Sequence, residues 1–138
     1  MREGEYDRME GTVPEVDLVR AARQRFPREA EETDRWLRER GLMDDVLATS
    51  TFQWIEAFAD RVTDAIKLRR GDIVTELTSF MAEQYRDQPD ALQGIMDVAF
   101  AENLMWDVGD EAKVWAWPFI AAEIRHLYAE MWSDPTQR

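Results

Sequence analysis

The chain has 138 residues, 45% of them hydrophobic, with no cysteine, one histidine and a formal charge of −12. This length suits one compact domain with its own core; the missing cysteine excludes disulfides, thiolate catalysis and Cys-based metal sites, and the lone histidine excludes a His-rich metal site within one chain. An acid excess of this size also argues against nucleic acid as a partner, because a phosphate backbone attracts clustered positive charge.

Residues 1–12 read as a flexible polar leader, since Arg2, Glu3, Glu5, Asp7, Arg8 and Glu10 leave no apolar core for a signal peptide. No window approaches the roughly 18 apolar residues of a membrane span. The expectation is a cytoplasmic protein with no membrane partner, in which residues 13–138 form a single helical domain.

Helical periodicity runs through almost the whole of that domain. Pro14 opens a helix over about 15–25, with Leu18, Val19, Ala22 and Phe26 spaced three and four apart. A charged helix over 28–40 follows Pro27, carries the thin apolar line Ala30, Thr33 and Leu37 beside Trp36, and ends at Gly41. A short helical turn is expected at 43–48. Hydroxyl caps at Thr49-Ser50-Thr51 then start the strongest segment, where Phe52, Ile55, Ala59, Val62 and Ile66 form a stripe flanked by Trp54 and Phe58. That segment is the predicted central helix, stopped by Gly71, with Asp72 capping the next helix over 73–86. A further helix spans 91–106, and its Gly94 points to a close helix contact. Residues 107–111 read as an acidic loop before a last helix that starts at Trp117-Pro118. Val114 to Trp117 alternates but is too short to seed a sheet. The reading is an all-α bundle of five or six helices.

The chemical motifs are weak. Glu123-Ile-Arg-His126 has the spacing of a Glu-x-x-His half-site, but a di-metal centre needs a second histidine. Glu29, Glu31, Glu32 and Asp34 resemble the acidic helix of all-α nucleotide pyrophosphohydrolases, yet magnesium at a phosphate needs further converging carboxylates, and Asp107-x-x-Asp110 falls in the expected loop. No Gly-x-Ser-x-Gly elbow and no glycine-rich phosphate loop is present. The residues thus assign no catalytic group, metal or cofactor and lean away from an enzyme. Aromatics are the unusual feature: four of the six tryptophans, Trp106, Trp115, Trp117 and Trp132, lie beyond residue 105, and the first three bracket the acidic segment. Core or edge packing is their ordinary role; exposed beside carboxylates, they are also what a protein-binding hot spot looks like.

Val98-Ala-Phe-Ala-Glu-Asn-Leu104 carries a resemblance. With Pro118 and Leu127-Tyr128, the segment 51–132 resembles a family of small bacterial helical proteins of unknown function, in which a helix ending Phe-x-Glu-Asn-Leu precedes an acidic loop and a closing helix. The resemblance implies no activity and no catalytic residue. Its small acidic members look like immunity proteins of bacterial toxin systems. Glu102 and Asn103 are expected to face the packed side of their helix, satisfying backbone groups and pinning the 107–111 segment.

Together these readings favour a non-enzymatic binding protein of immunity or adaptor type that occludes a basic, toxin-like protein partner. Asp107, Asp110 and Glu111 would supply steering charge, and Trp106 and Trp115 the anchors. Two alternatives stay open: a metal-dependent nucleotide hydrolase of all-α type, and a structural or ligand-sensing homodimer built on an exposed part of the Phe52–Ile66 stripe.

Overall fold

The computed structural model describes residues 13–43 and 50–137, so the leader, and the expected turn beyond Met43, lie outside the described residues. The described residues form seven α-helices and no strand. They are α1 (Pro14–Arg25), α2 (Pro27–Glu39), α3 (Thr51–Lys67), α4 (Gly71–Asp87), α5 (Pro89–Gly94), α6 (Asp110–Ala116) and α7 (Ala122–Trp132). A π-helical stretch, Ile95–Phe100, and a 3₁₀ turn, Ala101–Asn103, continue from α5, and a second 3₁₀ turn, Trp117–Phe119, joins α6 to α7.

The central position of α3 follows from its sequence. Ser50 caps it by accepting the Gln53 N–H at 3.0 Å. Its apolar residues then cover more than one face: Ile55, Ala59, Val62 and Ile66 are fully buried, and so are the flanking Trp54 and Phe58, which stack at 5.1 Å. Each large apolar side chain so removed from water contributes roughly 1.5–3 kcal/mol. Of the stripe from Phe52 to Ile66, only Phe52 reaches the surface. Phe26, at the α1–α2 corner, closes the near end against Phe58 and Phe80 at 6.4 and 5.3 Å.

α1, α2 and α3 are tied by one buried polar cluster. Asp34, 8% exposed, accepts a forked pair of hydrogen bonds from Arg23 at 2.6 and 3.0 Å and a third from the Trp54 indole at 2.8 Å. The Arg23 guanidinium also lies over the Trp54 ring, 4.9 Å from its centre. Asp34 is thus committed within the fold, and Glu31 turns outward to Arg35.

Helix ends account for most departures from the expected boundaries. Gly41 (φ 71°) ends α2 in a Schellman motif, with Leu42 N–H bonded to Leu37 C=O at 2.9 Å and Gly41 N–H to Arg38 C=O at 3.0 Å. The same pair of bonds ends α3, from Arg70 to Ala65 and from Arg69 to Ile66, but the left-handed residue is Arg69 (φ 57°), not a glycine. Gly71 therefore opens α4 and does not stop α3, and Asp72 lies in the first turn without capping it. What Gly71 provides is closeness: a Cβ there would sit 2.6 Å from the Phe119 ring. Gly71→Ala is expected to cost about 1–3 kcal/mol by overpacking, read as a lower midpoint in urea. Gly94 makes no close contact, since nothing lies within 4 Å of a Cβ built on it.

The last third differs more. Acidic side chains Asp110 and Glu111 in a first turn favour an early start, so α6 begins there and the acidic loop shrinks to 107–109. Val114 to Trp117 is helical. Pro118 has no N–H to give the carbonyl four residues back, and the chain tightens into the 3₁₀ turn before α7. Two buried threonines hold this region to the central helices. Thr78, on α4, donates to Val74 C=O and accepts the Ala121 N–H at 3.0 Å; Thr63, on α3, donates to Ala59 C=O and accepts the Met105 N–H at 3.0 Å.

Candidate functional site

The long helix expected over 91–106 changes pitch. After α5 it widens into the π stretch and then tightens, which buries Ile95, Met96, Ala99 and Phe100 together and strands carbonyls at its end. Asn103 satisfies them: its amide donates to Ala99 C=O at 2.8 Å and to Val98 C=O at 3.3 Å. The chain then turns away through Met105, left-handed at φ 57° and held by Thr63. A left-handed non-glycine residue costs on the order of 1 kcal/mol and persists where its neighbours enforce it. The consequence is local: the next residue, Trp106, stands out from the body, 68% exposed.

Opposite Trp106 stands Trp36 on α2, and the floor between them is α3. Two adjoining clefts of about 290 and 260 Å³ share Trp36, Asp60 and Trp106. The first continues to Glu56 and Asn103, the second to Arg61, Asp64, Lys67 and Asp107. Glu56, Asp60 and Asp64 recur every four residues along α3, so all three line one side of it. One face of Trp36 already carries a guanidinium, that of Arg40, 4.0 Å from the ring centre.

Two carboxylates of this groove have positive partners, Asp107 in Lys67 and Asp64 in Arg61 at 3.6 Å, whereas Glu56 and Asp60 have no ion pair among the described residues. Burial pushes Asp60 above the ordinary carboxylate value of 3.8; a hydrogen bond from the Trp106 indole and the charge of Arg61 oppose this, and Asp64 and Asp107 reinforce it. Glu56 is likewise raised, first by partial burial, then by Glu102 and Asp60, against a hydrogen bond from Asn103. A carboxyl raised on folding holds its proton more tightly in the folded state. It therefore disfavours the fold at pH above its raised value, and the penalty disappears as pH falls below the unfolded value. Asp60→Asn, which keeps an acceptor for Trp106 and removes the repulsion with Glu56, Asp64 and Asp107, is expected to stabilise the protein by about 0.5–1 kcal/mol at neutral pH. Thermal melts above and below pH 3.8 check this: the gain should vanish on the acid side.

Of the residues expected to bind a partner, the structure brings Trp106 and Asp107 to the groove. Asp107 is engaged by Lys67, which that hydrogen bond raises above the ordinary lysine value. Asp110 and Glu111 are exposed on the first turn of α6. Trp115 is half-buried, 4.9 Å from Phe119 and beneath the Arg69 guanidinium at 5.0 Å, and does not line the groove. The partners of Asn103 are the π-stretch carbonyls and Glu56, not the 107–111 segment that it was expected to pin. Glu102 is exposed, contrary to expectation; its carbonyl accepts the Trp132 indole at 3.2 Å and its charge reaches Glu56. Trp36, Glu56 and Asp60 are the site residues that sequence reasoning missed. The signal available was the four-residue acidic spacing opposite the apolar stripe of α3.

Among the described residues, no group of three or more acidic or histidine side chains is placed to hold a metal ion. Glu123 turns to Arg86 at 2.7 Å, and its own backbone N–H and Arg86 hold it below the ordinary range, while His126 faces Glu130 at 3.7 Å. Nor is any described helix long and apolar enough to cross a membrane.

No curated protein and no solved structure matches the chain. A family model does, over residues 19–133, and so takes in most of α1 and all of α2, which lie upstream of the segment 51–132 that carried the resemblance. The chain belongs to the DUF7674 family of domains of unknown function.

Proposed function

We propose that this chain is a non-enzymatic, cytoplasmic protein-binding domain of immunity or adaptor type, and that the Trp36–Trp106 groove receives a basic segment of its partner. The supporting observation is the pairing of an exposed tryptophan, held out by an enforced left-handed residue, with Glu56 and Asp60, whose pKa values burial first and neighbouring carboxylates second have raised. A guanidinium or ammonium group entering between the indoles relieves that repulsion and gains cation–π attraction, about 0.5–2 kcal/mol as it is desolvated. Net charge of −12 steers a basic partner from a distance.

Capture of the tagged protein from its own host, run beside Trp106→Ala, tests the reading. A basic protein retained by the wild type alone and released at high salt is the expected result. Retention of only further copies of this chain, or equal retention by the variant, contradicts it.

A further inference from the structure

The structure assigns a second site of opposite sign: we infer that a cavity at the start of α2 and α4 binds the phosphoryl group of a small molecule. The cavity, about 400 Å³, is lined by Arg28, Arg35, Arg61 and Arg70, with the buried Ala65, the half-buried Ile73 and the exposed Leu68 as its apolar part. Three carboxylates, Glu29, Glu32 and Asp64, share it, so four guanidinium groups leave it positive in a chain that is otherwise strongly acidic. A volume of this size lies within the ordinary range for small-molecule sites.

Arg61 is the key residue. Its side chain is only 9% exposed, its nearest acid, Asp64, stands at 3.6 Å, and its buried Nε has no hydrogen-bond partner. A buried N–H left unpaired costs about 1–3 kcal/mol, and an oxyanion in the cavity offsets the burial of this guanidinium by accepting from its terminal nitrogens, since Nε itself is closed off. Arg28 and Arg70 have no ion-pair partner among the described residues.

Backbone geometry adds to this. Arg28 lies in the first turn of α2 and Arg70 is the N-cap of α4, and neither helix has a side-chain cap. Two helix starts therefore lie beside the cavity with the positive ends of their dipoles. Several guanidinium groups beside two helix starts match a phosphate dianion better than a single carboxylate. Leu68 and Ile73, on the same lining, offer apolar surface to an organic body attached to it.

Equilibrium titration of the full chain with inorganic phosphate and with phenyl phosphate, at fixed ionic strength, tests the assignment. Saturable binding is expected, weakened at least about tenfold by Arg28→Gln with Arg70→Gln and again by Arg61→Met. Arg28 and Arg70 are exposed, so that double variant should keep the wild-type circular dichroism and chloride-buffer Tm. Tighter binding of phenyl phosphate supports an organic phosphate as ligand, and equal binding supports free phosphate. Absence of saturable binding of either probe, or undiminished binding by the double variant, overturns the inference.

Discussion

Asp34→Ala is expected to lower stability by about 3–5 kcal/mol, the range seen when one partner of a buried ion pair is removed. The substitution strands two groups at once. Arg23 loses both of its short hydrogen bonds, and the Trp54 indole N–H, fully buried, loses its acceptor. Because those contacts join α1, α2 and α3, the loss should appear as a lower urea midpoint for the whole domain and not as local fraying. Arg23→Ala should cost less, since its side chain keeps 29% of its exposure and water can replace it in part. In a double-mutant cycle the two changes should be strongly non-additive. Additive losses would mean that Asp34 acts through packing alone.

The second large effect concerns binding. Trp106→Ala should reduce affinity for a basic partner by about 2 kcal/mol, roughly thirtyfold, while leaving Tm nearly unchanged, because the ring is mostly exposed. Trp115→Ala should do the reverse. Its ring packs on Phe119 beneath Arg69, so truncation should lower Tm and leave binding intact. Isothermal titration and thermal melts on the two variants separate these outcomes, and a binding loss confined to Trp115→Ala would move the site away from the groove.

The sequence was most legible where one helix makes its own case. α3 carried a hydroxyl cap, an unbroken three–four stripe and two flanking aromatics, and it is the centre of the bundle. Gly41 and Pro27 marked the ends of α2 for local reasons, a left-handed C′ residue and a first-turn proline. Legibility failed where tertiary contacts decide. Nothing in the local pattern around 95–103 shows the π stretch, two of whose carbonyls, those of Val98 and Ala99, accept from the Asn103 amide. The left-handed turn at Met105 depends on Thr63, 42 residues earlier in the chain. The groove failed for the same reason: Trp36 and Trp106 become neighbours only once α2 and the Met105 turn have packed on opposite sides of α3. Nearness in sequence suggested Trp115 as the companion of Trp106, but α6 carries Trp115 to Phe119.

The central claim is that the two indoles and the carboxylates between them receive a cationic side chain. Its most direct test is to follow the indole N–H resonances of the six tryptophans by NMR while a hexa-arginine peptide is titrated in. The account predicts saturable shifts at Trp36 and Trp106, weakened by salt and by protonation of Asp60 and Glu56 at acid pH, with Trp54 and Trp115 unmoved. Shifts led by Trp115, or none at Trp106, would contradict it.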